Sequence, residues 1–250
     1  MRIAALYDIH GNLPALDAVL AEVEANGPDA IVIGGDVALG AMPAETIDRL
    51  RALDERAHFV MGNADRELVE AFDAGVRIED TEEGWTRLGA WNASRLGREQ
   101  RDFLAGFAPA VTLESDDLGP VLFCHGSPRS DEEIITALTP PERLAPMLAG
   151  SAEPTVVCGH THRQFELETG GRRVINAGSV GMPYEGVAAA FWVLLGPDVE
   201  LRRTDYDVEG ALETLRAGGA PWIDEAVRES LIEPTDPDAV ARYFEDRAQA

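Results

Sequence analysis

Four of the five histidines in this 250-residue chain, His10, His125, His160 and His162, stand just after apolar runs, in loops that also carry small, carboxylate or amide residues. In Asp8-Ile9-His10 a carboxylate and an imidazole lie two residues apart, so an extended backbone aims both at one ion. Gly159-His160-Thr161-His162 repeats that spacing with two imidazoles. Gly34-Gly35-Asp36 sets a carboxylate where the backbone can approach closely, and the two oxygens of one carboxylate can serve two cations. Gly62-Asn63 adds a neutral amide oxygen. The whole set suits divalent cations, and its imidazoles favour Mn, Fe, Ni or Zn over Mg or Ca. His58 lies inside an apolar run rather than after one, and reads as a structural histidine.

These groups can meet only if the fold brings their loops together. Up to about residue 195, short apolar runs alternate with helical patterns, as in a layered α/β fold. Strands are expected at 3–7, 30–33, 58–61, 111–113, 121–124, 155–158, 165–168, 173–176, 188–195 and 199–203. Helices are expected at 12–26, with Leu13, Leu16, Val19, Leu20 and Val23 on one face, and at 43–53. Residues 64–106 read as two or three helices forming a cap, and 131–149 as two short ones. Gly170-Gly171 predicts a tight hairpin turn. In such folds side chains that follow the strands converge on one crevice, and Asp8, His10, Asp36, Asn63, His125, His160 and His162 all follow strands.

A net charge of -24, with arginine supplying every basic residue, lacks the basic footprint that duplex nucleic acid requires. A small phosphorylated substrate remains compatible. No stretch is long and apolar enough for a membrane span and no export signal is visible, so a soluble, cytoplasmic protein without a membrane partner is expected. Cys124 and Cys158 lie in apolar runs and read as buried thiols. One domain is expected over residues 1–204, with the helical insertion near 64–106, followed by a helical extension over 205–250. A homo-oligomer remains open.

Asp8-Ile9-His10-Gly11-Asn12, Gly35-Asp36, Gly62-Asn63-Ala64-Asp65, His125-Gly126 and Gly159-His160-Thr161-His162 resemble, in this order, the five blocks of the calcineurin-like metallophosphoesterases. Asn176-Ala177-Gly178-Ser179-Val180-Gly181 is similar to a stretch of their small bacterial and archaeal phosphodiesterase branch. The resemblance implies an α/β four-layer αββα sandwich of two mixed sheets flanked by helices. It implies two divalent ions per chain, Mn being the first expectation and Fe, Ni, Zn or Mg the alternatives. Asp8, His10, Asp36 and His162 would hold one ion, and Asp36, Asn63, His125 and His160 the other. Asp36, Asn63 and His125 would then be catalytic, with Asp65 orienting a ligand, and hydrolysis would use a hydroxide activated between the ions.

Many members carry histidine where Ala64 stands. Acid catalysis is worth about 10²–10⁴-fold, so loss of that donor favours phosphodiesters or activated esters over alkyl monoesters. Asn12, Ser127, Arg129 and Tyr184 lie beside the metal-bearing or glycine-rich loops and are candidate substrate contacts, Arg129 because guanidinium can grip two phosphate oxygens. Alternatives are a phosphomonoesterase or protein phosphatase, a nucleotide polyphosphate hydrolase, and a metal-binding interaction scaffold without turnover.

Overall fold

The computed structural model describes residues 1–53, 55–115 and 117–249. Two five-stranded sheets pack face to face between helical layers. The first contains β1 (Ile3–Leu6), β2 (Ala30–Ile33), β3 (Ala57–Phe59), β9 (Ala190–Leu195) and β10 (Val199–Thr204), in the order β10-β9-β1-β2-β3. The second contains β4 (Ala110–Ser115), β5 (Gly119–Cys124), β6 (Thr155–Cys158), β7 (Gln164–Thr169) and β8 (Arg172–Ala177), in the order β4-β5-β6-β8-β7. Both sheets are mixed. β1 runs parallel to β2 and antiparallel to β9, while β6 runs parallel to β5 and β8.

The alternation of strand side chains builds the layers. Ile3, Ala5 and Tyr7 face the space between the sheets, where they meet Val32, Val121, Phe123, Val157, Ile175 and Val193. Ala4 and Leu6 point the other way, into a core shared with Leu16, Val19, Leu20 and Val23 of α1 (Leu13–Asn26). Such strands are buried on both faces, which is why they read as unbroken apolar runs. Asn12 caps α1 by accepting from the Ala15 N–H, and Gly27 closes it in the left-handed conformation, φ 58°. The Gly170-Gly171 hairpin joins β7 to β8, with φ of 57° and 76° at its two glycines.

Helix α2 (Pro43–Arg51) is followed across 64–106 by α3 (Asn63–Ala74), α4 (Trp85–Arg95) and α5 (Arg98–Ala105), with one 3₁₀ turn before α4. Between 131 and 149 the structure has one helix, α6 (Pro141–Met147), rather than the two expected. The reason is local competition: the Thr139 hydroxyl accepts from Thr136 N–H at 2.8 Å and the Thr136 hydroxyl from Leu138 N–H at 3.1 Å, taking donors that a helix would need. Beyond β10 come α7 (Val208–Ala217), α8 (Ile223–Ala226), a π turn and α9 (Pro237–Ala248). Leu215, Ala226, Val227 and Leu231 from this segment pack on Leu88 of α4 and on Ala41. Ala250, the last residue of the expected 205–250 extension, lies outside the described residues.

Candidate metal centre

The loops that follow β1 and β2 are laced together by the backbone. Asp8 N–H donates to Gly35 O at 3.1 Å, His10 N–H to Asp36 O at 2.9 Å and Gly11 N–H to Val37 O at 2.9 Å. The loop after β6 is joined to the one after β5 by Gly159 N–H on His125 O at 2.9 Å. The 176–181 stretch then fastens the two sheets at this end: Asn176 Nδ2 donates to Gly159 O at 2.6 Å, Val180 N–H to Tyr7 O at 2.9 Å, and Ser179 Oγ to Asp8 O at 2.7 Å. Among the described residues, the non-glycine residues with positive φ are Asp8, His10, Asp36, His160, His162 and Trp222. Five of these six are candidate ligands, so backbone strain is concentrated at one crevice.

Within that crevice two groups of side chains place their ligand atoms within 4.8 Å of one another: Asp8, His10 and His162 in one, Asp36, His125 and His160 in the other. The two groups adjoin. Asp36 Oδ2 lies 3.4 Å from His125 Nε2 and 3.9 Å from His10 Nε2, so it faces both. Asp8 Oδ1 lies 3.4 Å from His162 Nε2 and 3.8 Å from His125 Nε2. Asn63 stands at the start of α3, and its buried Oδ1 has no hydrogen-bond partner.

The donor geometry fits cations. Nδ1 of His10, His125 and His162 faces a carbonyl, of Leu39 at 3.1 Å, Gly34 at 2.9 Å and Met182 at 2.7 Å respectively. A carbonyl only accepts, so each Nδ1 carries the hydrogen and each Nε2 presents a lone pair when the ring is neutral. His10 Nε2 and His162 Nε2 stand 3.1 Å apart, and a proton or a metal ion must mediate between them. Three of the six buried polar side-chain atoms left without a hydrogen bond among the described residues are here, namely Asp8 Oδ1, Asn63 Oδ1 and His125 Nε2. Such atoms are rare in folded proteins unless a ligand takes them up.

Charge balance tells the same story. Burial alone would raise the Asp36 carboxyl, but His125, with His10 and His160, holds it well below the usual carboxylate range. Burial opposes charge on His125, yet Asp36 and Asp8 raise it to about 10. Asp8 likewise raises His162 against burial. His160 is lowered to about 4 by burial and by His125, and His10 is lowered by burial and His162. His125 and His162 are thus the imidazoles the carboxylates favour in charged form, and divalent ions binding there must displace any proton these rings hold.

Asp65, also buried, accepts from Asp36 N–H at 2.8 Å, Val37 N–H at 2.9 Å and Gly62 N–H at 3.2 Å. Burial and the charge of Asp36 push its carboxyl up to about 7. Its position holds the Asp36 and Asn63 loops together rather than facing the ligand atoms. Gly62 makes this approach possible, since a Cβ there would stand 2.2 Å from Asp36 Oδ1.

The candidate substrate contacts fall elsewhere in the bonding pattern. Asn12 caps α1 and donates to Gly181 O at 3.1 Å and Tyr206 Oη at 3.3 Å. Arg129 pairs with Glu133, which also accepts from Ser127 Oγ at 2.5 Å. Tyr184 stacks on His162, with ring centroids 5.2 Å apart and planes 14° apart. His58 lies in β3.

Two mixed sheets packed between helices, with imidazoles and carboxylates converging beyond their strand ends, define a phosphoesterase fold with two candidate metal-ligand clusters. The chain belongs to the calcineurin-like phosphoesterase superfamily, whose domain model matches residues 1–195. It is 27% identical over 247 residues to an uncharacterized protein of Methanocaldococcus jannaschii, covering 89% of this chain and 96% of that protein. It is similar to the crystal structure of a metallophosphoesterase from Sphaerobacter thermophilus, with a TM-score of 0.71 and 25% identity over 94% of this chain and 99% of that one. A hypothetical protein from Pyrococcus horikoshii shares the fold, with a TM-score of 0.76 and 19% identity over 91% of this chain and 96% of that one. No helix among the described residues is long and apolar enough to cross a membrane.

Proposed function

We propose that this protein hydrolyses a phosphodiester or an activated phosphoester at a pair of divalent cations, with Mn the first candidate metal. The observation that carries this reading is the pair of adjoining ligand groups, Asp8/His10/His162 and Asp36/His125/His160, with lone pairs and orphan oxygens turned into one crevice. Asp8, His10, Asp36 and His162 would hold one ion and Asp36, Asn63, His125 and His160 the other, Asp36 serving both. Two such ions, when bound, activate water for in-line attack at phosphorus and neutralise the phosphate oxygens. The chain's own groups do the rest. Carbonyls behind His10, His125 and His162 fix their tautomers, and Asp65 fixes the Asp36 backbone.

Ala64 places a methyl group at the start of α3, beside the ligands, where no proton can be donated to a departing alkoxide. Esters with good leaving groups are therefore the expected substrates. The test compares bis(p-nitrophenyl) phosphate with p-nitrophenyl phosphate, using metal-stripped protein refilled with Mn beside an Asp36→Asn control. Metal-dependent diester cleavage that the control loses supports the proposal. Tight binding of two Mn per chain with turnover of neither ester would overturn it in favour of a metal-binding scaffold.

A further inference from the structure

A cavity of about 290 Å³ lies between α3 and α4, lined by Leu39, Ala64, Leu68, Ala71, Trp85 and Gly89. Two of these residues also touch the candidate metal centre. The Ala64 N–H donates to Asp36 Oδ1 at 2.8 Å, and the Leu39 carbonyl faces His10 Nδ1 at 3.1 Å. The cavity therefore adjoins the metal-site loops, on the side built by the helical insertion. A larger depression beside His58, Phe59 and Phe103 shares no residue with the metal-site loops.

The lining says what fits. Small side chains at Ala64, Ala71, Gly89 and Ala90 create the space, and the flat indole of Trp85 forms one wall. Trp222, from the segment after β10, packs against Trp85 with ring centroids 5.0 Å apart and planes 82° apart, which holds that wall in place. The one charged side chain lining the cavity is Glu67, an acid, so a second phosphate or carboxylate would be repelled while a neutral ring would not. An uncharged planar group stacked on Trp85 would bury apolar surface on both faces. Resting on the phosphoester-hydrolase reading above, we propose that this cavity receives an uncharged aromatic ring ester-linked to the phosphate, so that the substrate is an aryl or nucleoside phosphoester.

The test is equilibrium binding to the Mn-loaded protein by calorimetry, with two matched pairs of probes. Phenylphosphonate against methylphosphonate reports a ring attached directly at phosphorus, and adenosine 5′-monophosphate against ribose 5-phosphate reports a base one sugar away. A preference of about tenfold or more for the aromatic member of either pair is expected, and the pair that shows it names the source of the ring. Gly89→Leu should abolish that preference. A Cβ at Gly89 meets only Leu39 Cδ1, at 4.0 Å, so the leucine side chain has room to enter the cavity from α4. Trp85→Ala, an exposed position, is the second variant and should lose the preference without filling the space. No preference in either pair, or one that survives both variants, would overturn the proposal. Because binding is read without turnover, ring preference with no ester hydrolysis would sink the hydrolase reading alone, and hydrolysis without ring preference would sink this inference alone.

Discussion

Two clusters of buried polar groups in this molecule are built in opposite ways. Around Glu245, the carboxylate of α9 accepts from Thr136 Oγ1 at 2.5 Å, from Thr139 Oγ1 at 2.6 Å and from Arg143, so both of its oxygens are engaged from within the protein. At the strand ends, Asp8 Oδ1, Asn63 Oδ1 and His125 Nε2 form no hydrogen bond, and two imidazole nitrogens stand 3.1 Å apart. The Glu245 carboxylate is closed and ties α9 to the 136–143 segment, leaving one guanidinium atom, Arg143 Nε, without a hydrogen bond beside it. The second cluster is held open by strained backbone and by tautomers fixed from behind, at a cost that only a ligand offsets. Neither burial of charge nor one unpaired atom marks a site; several unpaired ligand atoms converging on one crevice do.

Breaking the open cluster should cost function first. Asp36→Asn is expected to lower kcat/KM for bis(p-nitrophenyl) phosphate by at least about 10³-fold, some 4 kcal/mol of transition-state stabilisation. Its metal-free form should melt below the parent, because the carboxylate that His125 holds below its ordinary range, and that raises His125 in turn, has been removed; calorimetric scans check this. In the closed cluster, Glu245→Ala should cost about 2–4 kcal/mol of stability in urea unfolding, since Arg143 loses its carboxylate, while the number of bound metal ions stays unchanged.

The smallest effect distinguishes the clusters by pH. Burial would raise Glu245, but Thr136, Thr139 and Arg143 hold it below the ordinary glutamate value of 4.5. A depressed carboxyl contributes stability that is present above the unfolded value and lost as pH falls through the folded one. The stability gap between the parent and Glu245→Gln should therefore narrow below about pH 4.5, as unfolding curves at successive pH values would show.

Much of the open cluster was legible in the sequence because each ligand follows an apolar strand, and strand ends converge. The two mixed sheets came from the resemblance carried by the five motif blocks, and Ile3, Ala5 and Tyr7 against Ala4 and Leu6 show why those strands are apolar throughout. What the sequence could not display was long-range bonding. Glu245 meets Arg143 across 102 positions. Of the two short helices expected over 131–149 only one forms, and the turn before it is held by the Thr136 and Thr139 hydroxyls, whose partner lies in α9. The positive φ at Asp8, His10, Asp36, His160 and His162 is likewise a property of packed loops, not of residue type.

The central claim is that the open cluster holds two cations with Asp36 common to both. The direct measurement is the Mn content per chain of stripped and refilled protein, by equilibrium dialysis and elemental analysis, for the parent and Asp36→Asn. The account predicts two ions in the parent and one or none in the variant; a parent that binds no ion, or a variant that still binds both as tightly, would contradict it.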